Sequence, residues 1–178
     1  MNRPWALSAR TVDATTTRAF AAALAPVVRP GDLVLLVGAL GAGKTVFAQG
    51  FGAALGVEGP VTSPTFTLVR QYRCSAAGEV ELFVHADLYR LDHLREVGDL
   101  ALPELLAEGA VALVEWGDAG APVLGESALE VVIVPGGSEG PDTRTITVSG
   151  RGPRWAGRLG QVAAALQGFG PFEPECAT

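Results

Sequence analysis

The hydrophobic positions of this chain form short apolar runs that alternate with amphipathic stretches. Leu33–Val37 is apolar throughout, which is typical of a strand buried on both faces of a sheet. Thr45–Leu55 carries apolar residues at close to helical spacing, and alanine-rich Thr15–Val28 also predicts a helix. Ala110–Val114 repeats the buried-strand pattern. Strand, short connection and helix in this order indicate a βα unit and a parallel sheet.

Two pairs of strand-like segments, each joined by a glycine-containing turn, predict β-hairpins. The pairs are Thr65–Arg73 with Glu79–Ala86, and Leu129–Val134 with Thr143–Val148. Leu91–Glu108 predicts one or two short helices, and Trp155–Leu166 predicts a final helix. Helices mixed with buried strands and hairpins predict an α/β layered fold with a mixed central sheet.

Length and charge limit the possible functions. The 178 residues predict one domain over residues 1–167 and a flexible tail over 168–178. The formal net charge is −6 and no stretch concentrates arginine, so we expect no direct grip on nucleic acid. No apolar run reaches membrane-spanning length and the first ten residues lack a signal-peptide core, so we expect a cytoplasmic protein without membrane contact. Cys74 and Cys176 lack metal-site spacing and are expected to be reduced.

The segment between the first predicted strand and its helix fits the phosphate-loop pattern G-x-x-x-x-G-K-[ST]. Its residues are Gly38, Ala39, Leu40, Gly41, Ala42, Gly43, Lys44 and Thr45. Lys44 is the only lysine, whereas the other twelve basic residues are arginines. A compact ammonium fits between the β- and γ-phosphates, and the loop amides and the helix N-terminus bind the same anion. A Rossmann fingerprint is excluded, because Val46 occupies the position of its third glycine.

Two acidic residues are candidates for handling a metal ion and water. Hydrolysis of a bound nucleotide requires Mg²⁺ and a group that positions the attacking water. Thr45 supplies a hydroxyl for Mg²⁺, while Asp87 and Glu115 each follow an apolar run. Both are therefore expected at the carboxyl ends of strands beside the loop, where ligands collect in such sheets. The alternative for each is a strand-end carboxylate that meets solvent, and the residues alone do not identify the direct Mg²⁺ ligand.

A cluster of hydroxyl side chains precedes the first predicted hairpin, at Thr62, Ser63 and Thr65. Beside a proline, such a cluster is consistent with a switch segment that senses the γ-phosphate, and equally with a capped turn. His85 and His93 are eight positions apart with no third ligand in register. We interpret both as structural or surface residues, and no zinc site is predicted.

Four segments, in this order, resemble the TsaE (YjeE) family of bacterial P-loop ATPases of tRNA threonylcarbamoyladenosine biosynthesis. They are Gly38–Thr45, Ser63–Phe66, His85–Arg90 and Leu113–Trp116, and the resemblance spans Thr17 to Arg144. It implies a P-loop NTPase-like layered fold in which Lys44 and the loop amides hold the phosphates of ATP. It also implies that Thr45 and Glu115 hold Mg²⁺, with Asp87 beside them as a further ligand or a water-orienting acid.

The resemblance extends to residues outside the loop. It implies that Thr62–Phe66 is the switch, that Thr17 approaches the nucleotide base, and that Arg144 reaches the nucleotide. From its sequence context alone, Trp116 is a core or rim residue. The resemblance implies that it also belongs to the nucleotide-binding residues. The family usually has aspartate at the position of Ala39. The phosphate-binding amides do not need that side chain, so ATP binding is expected to survive.

The resemblance implies a weak ATPase that acts with the TsaD and TsaB proteins. TsaD is the transferase, the cofactors are ATP and Mg²⁺, and tRNA is contacted only through the complex. A GTPase is excluded, because the base-reading N-K-x-D motif needs a second lysine and no aspartate fits D-x-x-G. A small-molecule kinase remains an alternative if Arg90 and Arg95 belong to a lid. A non-catalytic, nucleotide-dependent assembly clamp also remains open, since it requires the same loop.

Overall fold

The computed structural model describes residues 5–64, 66–75, 78–88, 100–115, 124–137 and 140–170. Their strands are β1 (Trp5–Thr11), β2 (Leu33–Val37), β3 (Val69–Arg73), β4 (Leu82–Asp87), β5 (Val111–Glu115), β6 (Ala128–Pro135) and β7 (Arg144–Arg151). Their helices are α1 (Ala14–Leu24), α2 (Lys44–Ala54), α3 (Leu102–Ala107), α4 (Pro153–Ala156) and α5 (Leu159–Leu166), with 3₁₀ turns at Ala25–Val27 and Gln167–Phe169. None of these helices is long and apolar enough to cross a membrane.

The strands form one seven-stranded sheet in the order β1-β7-β6-β2-β5-β4-β3. The four central strands β6, β2, β5 and β4 are parallel, whereas β3 at one edge and β7 and β1 at the other are antiparallel to their neighbours. This mixed sheet confirms the predicted α/β fold, and the pairs β3–β4 and β6–β7 confirm both predicted hairpins. Because β2, β5 and β4 run in the same direction, their carboxyl ends meet at one edge of the sheet.

The central strand β2 is buried on both faces, as its uninterrupted apolar run predicts. Val34 and Leu36 face a core formed with α1 and α2, whereas Leu33 and Leu35 face a second core formed with α3. The first core contains most of the large aromatic side chains: Phe20, Phe47, Phe51, Phe83 and Trp155. A strand covered by helices on both sides has no solvent face, and alternation is therefore absent from its sequence.

Helices α1 and α2 approach each other at backbone level. A Cβ atom added at Gly50 would lie 2.3 Å from the carbonyl oxygen of Arg18, so no larger residue fits there without a helix shift. The Arg18 guanidinium also donates to the side-chain oxygen of Gln49. The close packing fixes α2, and with it the end of the phosphate loop, against α1.

Strand β1 was not predicted from the sequence. It pairs with β7 in antiparallel register from Trp5–Gly150 to Thr11–Arg144. The sequence signal for this strand is the placement of apolar residues at alternate positions, Trp5, Leu7 and Ala9, and all three are buried in the structure. The strand adds an outer edge to the sheet and ends beside Arg144.

The prediction that the first hairpin strand begins at Thr65 is wrong, because β3 begins at Val69. The carbonyl oxygen of Pro64 accepts hydrogen bonds from the amides of Thr67 and Leu68, at 2.9 and 2.7 Å. These bonds form a turn, so the backbone groups are not available for pairing with another strand. Of the predicted Leu91–Glu108 helices, only α3 lies among the described residues.

The single helix predicted over Trp155–Leu166 is also wrong, because α4 and α5 are separate helices. The Arg158 amide closes α4 by donating to the Trp155 carbonyl oxygen, and its guanidinium binds the buried carboxylate of Asp32. The buried ion pair overrides the local preference for a continuous helix. Beyond α5, Phe169 packs edge-to-face on Phe20 with ring centroids 5.1 Å apart, although the flexible tail was predicted from residue 168.

Candidate functional site

The predicted phosphate loop connects the carboxyl end of β2 to the first residue of α2. Gly41 and Gly43 have φ angles of 78° and 110°, in the left-handed region that glycine adopts without strain. The Ala42 amide donates to the Ala39 carbonyl oxygen at 3.0 Å, which closes the turn, and Leu40 at its tip is 86% exposed. The loop therefore leads directly into a helix N-terminus, where backbone amides lack intrahelical partners and bind anions.

Lys44 is folded back along the loop. Its Nζ donates to the carbonyl oxygens of Gly38 at 2.9 Å and Ala39 at 3.2 Å. Burial lowers the pKa of Lys44, and the carboxylates of Glu115 and Asp87 partly oppose this shift. The departure at Ala39 leaves these contacts intact, because the loop uses the carbonyl oxygen of that residue and its side chain is exposed. The buried ammonium of Lys44 thus donates to the loop backbone and interacts electrostatically with two acids.

Asp87 and Glu115 lie side by side at the carboxyl edge of the sheet. They are the last residues of β4 and β5 and are directly paired in the parallel register. Strand β5 is also the neighbour of β2, which leads into the loop. The alternative of strand-end carboxylates that simply meet solvent is wrong, since Asp87 is 5% and Glu115 4% exposed.

His85 joins this pair, although sequence patterns indicated only a structural or surface residue. The side chain is fully buried, and Nε2 lies 2.8 Å from Oε1 of Glu115. Residues at alternate strand positions share a face, so Phe83, His85 and Asp87 all face the core beneath α2. The two-residue spacing predicts that His85 shares a face with Asp87, but it does not predict the bond to Glu115 on the neighbouring strand.

Arg144 lies on the opposite side of the loop, at the first residue of β7. Its Nε donates to the Ala42 carbonyl oxygen at 2.6 Å, and one terminal nitrogen donates to the carbonyl oxygens of Pro141 and Thr143, both at 2.7 Å. The side chain therefore contacts the phosphate loop itself, through its backbone.

Thr17 lies on the same side as Arg144. Its hydroxyl donates to the Asp13 carbonyl oxygen at 2.9 Å and is hydrogen-bonded to the Thr11 hydroxyl at 2.8 Å. Thr11 in turn pairs with Arg144 across β1 and β7. Thr17 is only 2% exposed, so its hydroxyl is buried and bonded within the protein.

The predicted switch segment follows α2 and returns the chain to the sheet. The Thr62 amide donates to the Tyr72 hydroxyl at 3.2 Å, Ser63 is half-buried, and Phe66 is 88% exposed. Leu68 has φ of 62°, which is unusual for a bulky residue. Its carbonyl oxygen accepts a hydrogen bond from the Asp87 amide at 2.9 Å, so the segment is connected directly to the acidic pair.

Two predicted site residues, Thr65 and Trp116, lie outside the described residues, as do His93, Arg90 and Arg95. Within the described part of the chain, no group of three or more His, Cys, Asp or Glu side chains could hold a metal ion. Asp87, Glu115 and Thr45 instead supply two carboxylates and a hydroxyl, at adjacent strand ends and at the start of α2. Such a set suits Mg²⁺, which binds one or two carboxylates and completes its coordination with water and substrate phosphates.

Comparisons with known proteins agree on one family. A family model described as "Threonylcarbamoyl adenosine biosynthesis protein TsaE" matches residues 11–146, which include every predicted site residue. A TsaE protein of tRNA threonylcarbamoyladenosine biosynthesis from Streptomyces coelicolor is 44% identical over 135 residues, covering 75% of this chain and 89% of the relative. A TsaE protein from Bacillus subtilis is 39% identical over 146 residues, covering 82% of this chain and 87% of the relative. The crystal structure of Bacillus subtilis YdiB is similar with a TM-score of 0.73 and 33% identity, covering 89% of this chain and 95% of YdiB.

Proposed function

This chain belongs to the TsaE family, and we propose that it is an ATP-binding subunit that hydrolyses ATP weakly. In this proposal it is required for formation of N6-threonylcarbamoyladenosine in tRNA, where it acts with TsaD and TsaB and supports repeated turnover. The observation that carries the proposal is the position of Lys44, which binds the loop backbone while its charge interacts with Glu115 and Asp87.

The phosphates of ATP bind the loop in this proposal. The amides of Gly41–Lys44 at the start of α2 hold them, and Lys44 exchanges its contacts with Gly38 and Ala39 for phosphate oxygens. The exchange is favourable because a buried ammonium gains more from an anion than from neutral carbonyl oxygens. Arg144 stabilises the loop by donating a hydrogen bond to the Ala42 carbonyl oxygen.

The acidic pair serves Mg²⁺ and water. Thr45 and Glu115 would hold the ion, which supplies charge stabilisation for the phosphates when it is bound. Asp87 lies in register beside Glu115, so it is suited either to complete that set or to accept a hydrogen bond from the attacking water. Both acids are buried, so neighbouring solvent competes little with these roles.

The segment that precedes β3 would respond to the γ-phosphate. Thr62, Ser63 and Thr65 supply hydroxyl groups for it, and the Leu68–Asp87 backbone bond transmits their position to the acidic pair. Thr17 would border the nucleotide base, and Trp116 would contact the nucleotide next to Glu115. These roles follow the family resemblance and are part of the proposal.

The ATP cycle, in this proposal, serves a complex and does not itself modify tRNA. TsaD transfers the threonylcarbamoyl group, and tRNA is held by the complex and not by this acidic chain, whose net charge is −6. We place the reaction in the cytoplasm, where the tRNA substrate is found.

Reconstitution tests the proposed function most directly. Purified TsaB and TsaD would be incubated with tRNA, threonylcarbamoyl donor and ATP, with and without this protein, and modified adenosine counted per complex over time. We expect more than one modification per complex only when both this protein and ATP are present. Equal multiple-turnover modification without this protein would refute the proposed role, and support by a variant that binds ATP but does not hydrolyse it would favour the assembly clamp.

A further inference from the structure

His85 is a polar side chain inside an otherwise apolar core, and packing alone does not account for a polar residue at this position. The imidazole is fully buried, and its ring stacks on Phe83 with centroids 6.3 Å apart. Phe83 in turn packs on Phe51 of α2, at 5.9 Å. A buried polar ring is less favourable than an apolar one unless its hydrogen bonds are satisfied, so a residue chosen only for packing would be apolar here.

The hydrogen bond to Glu115 defines one proton position. A carboxylate that binds Mg²⁺ is ionised and only accepts hydrogen bonds, so in that form of Glu115 the hydrogen between Nε2 of His85 and Oε1 is donated by His85. On the other side of the ring, Nδ1 is buried and has no hydrogen-bond partner within the described residues. The ring is thus committed to Glu115 alone in this part of the chain.

His85 is the more rigid member of this hydrogen-bonded pair, so it fixes the orientation of the Glu115 carboxylate. Packing against Phe83 holds the imidazole plane, and β4–β5 pairing places His85 opposite Leu113, two residues before Glu115. Glu115 has three side-chain torsions and lies at the end of its strand. A rigid donor fixes the more flexible partner, and one fixed carboxylate oxygen also fixes the orientation of the other.

We propose that His85 is a positioning residue that holds Oε1 of Glu115, so that the second carboxylate oxygen, Oε2, is presented to Mg²⁺ in a single orientation. The inference rests on the proposed function, because it assigns His85 a role toward the ion that Glu115 would hold. Hydrogen bonds of this kind orient metal ligands in proteins, and their loss typically lowers metal affinity or activity about 10- to 100-fold.

Two substitutions separate the hydrogen bond from packing. His85→Leu removes the donor and keeps an apolar side chain in the core, whereas His85→Gln retains an amide nitrogen that can reach Oε1. Affinity for Mn²⁺ in the presence of ADP would be measured by electron paramagnetic resonance, and the Mg²⁺ dependence of ATP hydrolysis by phosphate release. We expect His85→Leu to weaken Mn²⁺ binding about 10- to 100-fold and to lower kcat similarly, and His85→Gln to restore most of both.

Val84→Ala is the matched control, since it removes buried apolar volume from the same strand but faces the other core, away from His85 and Glu115. It should lower the unfolding temperature and leave Mn²⁺ affinity unchanged. ATP affinity in the presence of EDTA should be unchanged in all three variants, because the loop binds the phosphates. If His85→Leu does not fold, His85→Asn serves instead, since its shorter amide does not reach Oε1.

Wild-type Mn²⁺ affinity and Mg²⁺ dependence in a folded His85→Leu or His85→Asn protein would overturn the inference. An equal loss in His85→Gln, or a matching loss in Val84→Ala, would also overturn it and assign His85 to packing. Failure of the wild-type protein to bind Mn²⁺ with ADP would instead contradict the proposed function. The two failures are therefore distinguished by the wild-type measurement.

Discussion

The two flanks of the phosphate loop are built in different ways. The acidic flank consists of His85, Asp87 and Glu115 from parallel strands: the side chains of His85 and Glu115 are hydrogen-bonded, and Asp87 is paired in register with Glu115. The arginine flank consists of Thr17 and Arg144, whose side chains bond largely to backbone carbonyl oxygens. A carboxylate that is held by another side chain can still present an oxygen atom to a ligand. A side chain that donates to backbone carbonyl oxygens instead maintains the shape of the backbone. We therefore propose that the acidic flank carries the chemistry and that the arginine flank maintains the geometry of the loop.

Strand direction explains how both flanks reach the same edge of the sheet. Parallel strands β4 and β5 end there, so their last residues, Asp87 and Glu115, meet beside the loop. Strand β7 is antiparallel to β6, so it begins at that edge with Arg144. Strand β1 is antiparallel to β7 and ends there with Thr11. The mixed sheet thus places Asp87 and Glu115, the last residues of two strands, on one side of the loop. It places Arg144, the first residue of β7, on the other side.

Lys44→Ala should have the largest effect, because Lys44 contacts the loop backbone and its charge interacts with both acids of the acidic flank. Loss of charged hydrogen bonds to phosphate should weaken ATP binding by about 3 kcal/mol, or about 100-fold, in calorimetry. Arg70→Ala is the control, since it removes the same charge from an exposed position on β3. Unchanged affinity in Lys44→Ala would contradict the assignment of the loop.

Glu115→Gln should affect the acidic flank alone. The amide oxygen can still accept from His85, so the fold should persist, but the ligand charge is lost. We expect ATP hydrolysis with Mg²⁺ to fall about 100-fold, while ATP affinity in EDTA stays unchanged. Glu104→Gln, on the exposed side of α3, is the matched control. A wild-type rate in Glu115→Gln would remove this residue from the site, and the same assay on Asp87→Asn would then identify the more important acid.

Arg144→Ala should affect the loop itself. Loss of the bond to the Ala42 carbonyl oxygen should weaken ATP binding about tenfold by calorimetry, to the same extent with and without Mg²⁺. Arg144→Lys should recover only part of the affinity, because an ammonium lacks the planar fork that reaches Ala42 and Pro141 together.

A double variant sharpens the distinction between the flanks. If they act separately, the free-energy effects of Glu115→Gln and Arg144→Ala on Mg²⁺·ATP affinity should add within about 0.5 kcal/mol. A loss in Arg144→Ala that appears only with Mg²⁺, or a large coupling in the double variant, would show that Arg144 acts on the chemistry of the acidic flank.

Thr17→Val should have the smallest effect. The substitution removes a buried hydroxyl and its bonds to Thr11 and Asp13, so the free energy of unfolding should fall by about 1 kcal/mol in urea denaturation. ATP affinity should change by less than about threefold, since the hydroxyl is committed to the protein. A drop in ATP affinity without a loss of stability would indicate instead that the hydroxyl contacts the base.

The elements that the sequence predicts well are those with a complete local signal. Leu33–Val37 is apolar throughout and forms β2, and both hairpins are flanked by turn residues. The misses are of another kind. The start of β3 is set by amides bonded to Pro64, and the break between α4 and α5 accompanies the pairing of Arg158 with distant Asp32. Such contacts override local preference and leave little trace in a short window of sequence.

The candidate site also contains residues that a local sequence pattern predicts and residues whose role depends on distant contacts. Asp87 and Glu115 were predicted because each follows an apolar run, and both lie beside the loop. His85 was missed as their partner, since its bond joins strands that are 30 positions apart in the chain. The contact of Arg144 with Ala42 spans 102 positions, and only the family resemblance pointed to that residue.

By itself, the sequence determined the loop that we propose binds phosphate, because its signal is local: glycines that adopt left-handed positions, one lysine, and a helix that begins with that lysine. Tertiary structure decided what surrounds the loop. The order of strands in a sheet is not written in any local pattern, since pairing depends on how distant segments pack. That order alone put the buried pair of His85 and Glu115 on one flank and Arg144 on the other.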